Sequence, residues 1–203
     1  MKRSIPSWQL AGFVFVTILG TLLHFLFDWT GGNTAAALIS AVNESIWEHC
    51  KLLFYPMFAF AWIEYLVWGK QQPHFWCVKL SGTLLGLTLI PVIYYTYSGI
   101  WGSSADWFNV TIFFLAAAAA FWLETALFAK NPVCPVPDTL CLVGFLALSV
   151  VFTVLTFFPP QIAFFRDPLT GTYGFFQNTQ HKNRQAGNNF SLPEKSYLEG
   201  RSF

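Results

Sequence analysis

The sequence predicts an all-α protein: a polytopic membrane helix bundle with about five transmembrane helices and an amphipathic or re-entrant helix before the second. Three observations lead there. Hydrophobic residues fill 55% of the 203 positions and charged residues only 10%, whereas a soluble domain carries about 25% charged residues. Aromatic residues reach 19%, including 23 Phe and 9 Trp. The apolar residues also gather into runs close to the roughly 20 residues that a helix needs to cross a bilayer. The formal net charge of +1 supplies no basic field, so the lipid bilayer is the expected partner and nucleic acid is not.

The spans follow in order: Trp8 to Phe27, Leu52 to Trp68, Phe75 to Tyr97, Trp107 to Phe128 and Leu140 to Phe158. Each is helical by necessity, because a backbone in hydrocarbon must satisfy its own hydrogen bonds. The first run is too long for a signal peptide and lacks a small-residue cleavage site, so it reads as a helix that stays. Turn residues separate the runs at Trp29 to Asn33, Gly69 to Pro73, Ser98 to Asp106 and Asn131 to Pro137. Pro159 and Pro160 end the fifth span. Pro56 and Pro91 lie inside helical patterns and are expected to kink them. Residues 1–176 then form one helical transmembrane domain. Residues 177–203 are polar and aperiodic and read as a disordered tail.

Lys and Arg concentrate on the cytoplasmic side of membrane proteins. Lys2 and Arg3 precede the first span, Lys70 follows the second and Lys130 follows the fourth, while the other two connections hold neither residue. This alternation predicts a multi-pass protein of the cell membrane, with a cytoplasmic N-terminus and an extracytoplasmic C-terminal tail. The basic residues of that tail are the one point against it. Cys50, Cys77, Cys134 and Cys141 show no CxxC spacing and are expected to be unpaired apolar fillers.

The polar residues then converge on the outer face. His24 and Asp28 close the first span, and Tyr94 lies near the end of the third. Asp106 and Asn109 open the fourth, and the turn at Asp167 follows the fifth. Between the first two spans lies Ser40 to Pro56, "SAVNESIWEHCKLLFYP". On a helix, Ser40, Asn43, Glu44, Trp47, Glu48 and Lys51 share one face. A single bent helix from Thr34 to Trp68 would be about 50 Å long, against a hydrocarbon core of about 30 Å. Its first half therefore lies along the interface as a solvated amphipathic helix, or dips into the bundle and lines a site.

Ionisable residues in membrane segments are functional candidates. The candidate ligand-binding set is Glu44, Glu48, His49, His24, Asp28, Asn43, Lys51, Tyr94 and Asp167. Glu44, Glu48, His49 and His24 are also candidate ligands of a divalent metal, since carboxylate and imidazole suit zinc- or iron-type ions. No HExxH motif is present. A Glu–His proton relay is the other chemistry of this set, and a Ser45–His49 nucleophile pair lacks an oxyanion motif. Three function classes remain open: an outward-facing site that binds or transports a small polar ligand or ion, a membrane-embedded metal-dependent or acid/base enzyme, and an accessory subunit.

Three motifs, VNESIWEHCKLLFYP, YYTYSGIWG and PPQIAFFRDPLTGTYG, resemble those of a family of small bacterial multi-pass integral membrane proteins of unknown function. The resemblance runs from Leu10 to about Gly174. It implies a helical membrane fold and assigns no reaction or ligand.

Overall fold

Long apolar runs become long helices. A computed structural model describes residues 5–102, 106–130 and 134–190, with the backbone alone for Asp106 and residues 186–190. Among the described residues, five helices are long and apolar enough to cross a membrane: α1 (Ile5–Trp29), α3 (Ile46–Val67), α4 (Phe75–Trp101), α5 (Asp106–Lys130) and α6 (Asp138–Phe157). Two others are α2 (Thr34–Ala37) and α7 (Gly174–Phe190). Pro56 and Pro91 lie inside α3 and α4. Lys2, Arg3, Ser103 to Ala105, Asn131 to Val133 and residues 191–203 lie outside the described residues.

The burial pattern is inside-out relative to a water-soluble bundle. Leu10, Val14, Ile18, Leu22 and Phe25 form an exposed stripe on α1, and Leu140, Val143, Leu146, Val150 and Val154 form one on α6. Such apolar surface is unfavourable in water and solvated in lipid. Meanwhile Glu48, Lys51, Glu64, Lys79 and Glu124 are all at most 1% exposed. Helix α4 packs against α3, α5 and α6, and α1 against α3 and α5. Fully buried Ala116, Ala117 and Ala120 allow close approach along α5. Phe54 centres an aromatic core, with ring centroids 4.9 Å from Phe152 and 6.1 Å from Phe145.

The structure departs from the sequence expectations at three places. The stretch Thr34 to Trp68 is not one bent helix. Asn43 Oδ1 accepts from the Ser45 N–H at 3.0 Å, and Ser45 Oγ caps α3 by accepting from the Glu48 N–H at 3.4 Å. Short polar side chains that bond their own backbone compete with a continuing helix. Residues 38–45 therefore fold back into the bundle, with Ser40, Asn43 and Ser45 buried. The chain here is a buried turn, not the amphipathic or re-entrant helix that the sequence predicts.

The second departure is α7, which continues to Phe190 where disorder is expected from residue 177. Phe175 anchors it, 5.9 Å from Phe27 and 5.2 Å from Phe157 between ring centroids. Gly174, at φ 54°, makes this seat possible: a Cβ there would lie 2.5 Å from the Thr156 carbonyl oxygen. Tertiary contact thus holds a helix whose own sequence is polar on average, with its few apolar residues gathered on one face.

The third is a disulfide. Cys77 and Cys134 are bonded across 57 residues, contrary to the expectation of unpaired thiols, while Cys50 and Cys141 are free and buried. The packing of α4 on α6 brings their starts together, which no sequence spacing encodes.

Candidate functional site

At the end of the bundle opposite the disulfide, the loop before α3 meets the last turns of α1. Ser45 starts α3, so Glu44 precedes the cap and His49 lies one turn inside. His24 faces them from α1. His24 Nε2 is 3.7 Å from Glu44 Oε1, and His49 Nε2 is 3.5 Å from Glu44 Oε2. The imidazole centroids are 5.6 Å apart. One ligand atom from each residue can be chosen so that all lie within 4.8 Å of one another. The group is partly open: the side chains of His24, His49 and Glu44 are 28%, 25% and 41% exposed.

Hydrogen bonding sets the tautomer of His49. Its Nδ1 lies 2.9 Å from the Ser45 carbonyl oxygen. A carbonyl only accepts, so Nδ1 carries the proton and donates. In the neutral ring, Nε2 then turns a lone pair toward Glu44, placing two acceptors face to face. A cation between them removes the conflict. The 3.5 Å separation is wider than the about 2.7–2.9 Å of a direct imidazolium–carboxylate hydrogen bond. It is close to the spacing of about 3.3–3.6 Å between ligands of a tetrahedral ion with bonds of about 2.0–2.2 Å. Anchoring the second imidazole nitrogen on a carbonyl is also the usual outer-shell arrangement of metal-bound histidine.

The three residues border a cavity of about 400 Å³ between α1 and α5, walled by Gly20, Leu52, Phe113 and Leu169 among others. Thr21 and Asn109 are its other polar wall residues. A smaller cavity of about 60 Å³ adjoins Glu44 and His49 and reaches Tyr94. Leu169 belongs to the turn after α6, so this turn contributes to the wall of both cavities.

A protein-family model described as a family of unknown function, DUF6512, matches residues 1–175. The chain belongs to that family. No curated protein and no solved structure matches it. The DUF6512 match takes in the five long helices and the His24–Glu44–His49 group, and it ends where α7 begins.

The remaining candidates in this DUF6512 chain fall elsewhere. Glu48 and Lys51 line neither of these two cavities and form a buried pair at 2.8 Å. Lys51 Nζ also donates to the Ala37 carbonyl at 2.8 Å and to Thr156 Oγ1 at 2.9 Å, and Glu48 Oε2 accepts from the Val42 N–H at 3.1 Å. They tie α3 to α2, α6 and the folded-back loop, and so position Glu44 from behind. Asp28 is exposed and pairs with Lys182 of α7 at 2.5 Å. Asp167 is buried and shapes its own turn, accepting from the Leu169 N–H at 2.8 Å and from the Thr170 hydroxyl at 2.8 Å. Asn43 holds the loop, as above. The Ser45 hydroxyl caps α3.

Sequence reasoning left out Glu64, Lys79 and Glu124, which meet Gln9 inside the bundle. The signal was present: each is a lone charge inside an apolar run, and such residues face the bundle interior.

Proposed function

We propose that this protein binds a divalent transition-metal ion between His24, Glu44 and His49, at the wall of the α1–α5 cavity. The observation that carries the proposal is the His49–Glu44 pairing: His49 Nε2 and a Glu44 carboxylate oxygen held 3.5 Å apart, with His49 Nδ1 bonded to the Ser45 carbonyl. Two imidazoles and one carboxylate suit a zinc- or iron-type ion and leave at least one coordination position free. Purified protein loaded with zinc is expected to retain about one ion per chain, measured by elemental analysis and titration calorimetry. The His49→Ala and Glu44→Gln variants are expected to lose at least about 10–100-fold in affinity. Unchanged zinc affinity in both folded variants would refute the site.

A second reading, a metal-dependent enzyme, is favoured by the cavity. Three protein ligands with an open position are the arrangement of catalytic zinc, which activates water or polarises an oxygen. The walls include Leu52 and Phe113, together with Phe25, Val110 and Phe114, which are themselves exposed on the apolar surface. An amphiphile with its polar group at the metal and its chain between α1 and α5 fits that chemistry.

We further infer a membrane between a reducing and an oxidising compartment, the bacterial cell membrane that the sequence motifs imply. The end carrying Cys77–Cys134 faces outward and the His24–Glu44–His49 end faces the cytoplasm. The support is chemical, since disulfides persist in oxidising compartments. Arg166, Lys182 and Arg184 stand at the end opposite the disulfide, with Lys182 against Asp28 of α1, whereas Lys70 and Lys130 stand at the disulfide end. This orientation reverses the one that Lys2, Arg3, Lys70 and Lys130 predict by themselves.

A further inference from the structure

A second polar group lies deeper in the bundle, one to two turns inside the end that bears the disulfide. Four helices supply it: Gln9 from α1, Glu64 from α3, Lys79 from α4 and Glu124 from α5, each at most 2% exposed. Lys79 Nζ is 2.6 Å from Glu64 Oε2 and is paired also with Glu124 Oε2. Gln9 Nε2 donates to Glu64 Oε1 at 3.0 Å. The rings of Phe60 and Phe121 cover the ammonium, with centroids at 6.0 and 5.2 Å. Gly82 makes room for Glu124, since a Cβ there would collide with its side chain.

We propose that this cluster is a proton-binding site, in which the carboxyl groups of Glu64 and Glu124 share one exchangeable proton. Two independent deficits point to it. The first is charge: one ammonium faces two carboxylates, and no other charged group among the described residues pairs with any of the three. A net negative charge enclosed in hydrocarbon is among the least favourable arrangements a bundle can hold, and neutralisation by a proton is the usual outcome. The second is hydrogen bonding: Gln9 Oε1 and Glu124 Oε1 are buried acceptors without a donor, and Glu64 Oε2 meets Lys79 as an ion pair without a hydrogen bond. One added proton cancels the excess charge and turns Glu124 Oε1 from an orphaned acceptor into a hydroxyl.

The geometry assigns its resting place. Glu64 has one oxygen against Gln9 and the other against Lys79, whereas Glu124 has Oε1 unengaged. The proton therefore resides on Glu124, and Glu64 with Lys79 forms the balanced ion pair. Intramembrane carboxyl groups of this kind are the elements from which proton relays in pumps and transporters are built. The cluster is separate from the His24–Glu44–His49 site, and its test does not involve a metal.

Infrared spectroscopy of the purified protein in lipid tests the proposal through the carbonyl stretch of protonated carboxylic acids. At neutral pH the wild type is expected to show the signal of one such group, shifted in heavy water and lost as the pH is raised. Glu124→Gln is expected to fold, because it replaces a neutral acid with a neutral amide, and to lose the signal. Glu64→Gln is expected to lose it as well, because Glu124 then ionises against Lys79. Lys79→Met is expected to double it. A wild type without the signal, a signal that persists in either glutamine variant, or one abolished by sodium at constant pH would overturn the proposal. The last outcome would mark a cation site instead.

Discussion

Replacing Lys51 by Met tests whether Glu48 and Lys51 hold the site from behind. The side chains have similar length, so the change removes the charge and its donors while leaving the volume. Both partners are essentially inaccessible, at 0% and 1% exposure. Without the ammonium, Glu48 remains in the bundle with only the Val42 N–H and the Thr156 hydroxyl, and the Ala37 carbonyl loses its Lys51 donor. Breaking a buried pair on one side costs about 3–5 kcal/mol, because an uncompensated charge stays behind. Ordinary side-chain hydrogen bonds inside membrane bundles average only about 0.6 kcal/mol, so the two accounts differ several-fold. Unfolding in mixed micelles, followed by circular dichroism against denaturing detergent, measures the difference. Lys51→Met is expected to fall in the higher range, and Lys51→Met with Glu48→Gln to recover most of the loss, since the stranded charge is gone. A single-variant loss below about 1 kcal/mol, or a double variant no more stable than the single, would refute the reasoning and return Glu48 to the list of candidate ligands.

Three further outcomes are expected. Cysteines introduced at Ala35 and Gln71, exposed at opposite ends, should react oppositely with a membrane-impermeant thiol reagent in intact cells: Gln71→Cys labels and Ala35→Cys does not, and the reverse result restores the orientation predicted from the lysines. Gly20→Ala should cost about 1–3 kcal/mol, because its Cβ would lie 2.6 Å from Phe113 and 2.7 Å from the Leu52 carbonyl oxygen. It should also weaken zinc binding, since His24 stands one turn further along α1; calorimetry checks this. Reduction of the Cys77–Cys134 bond should lower stability by about 2–4 kcal/mol, seen as a shift of the same detergent titration in the wild type but not in Cys77→Ser.

Much of the site was legible because its residues sit close together in the chain. Glu44 and His49 share one motif, and His24 ends an apolar run, so their residue types already made them candidate metal ligands. What misled was the assumption that the motif is helical throughout. On one helix, Glu44, Glu48 and Lys51 share a face; with the cap at Ser45, Glu44 points to His24 while Glu48 and Lys51 turn inward to Thr156. Asp28, a candidate ligand by its place at the end of the first span, pairs with Lys182 of α7 instead.

The sequence by itself determined the class and the spans, because apolar runs of bilayer length leave a backbone no choice but helix. It also marked the turns, where Pro, Gly and Asn interrupt those runs. Only the tertiary structure decided which isolated charges meet. Gln9, Glu64, Lys79 and Glu124 come from four helices, and Cys77 and Cys134 are 57 residues apart. Periodicity orients a residue on its own helix but carries no information about which neighbouring helix it faces. That depends on how the ridges, alanines and glycines of all five helices fit together at once.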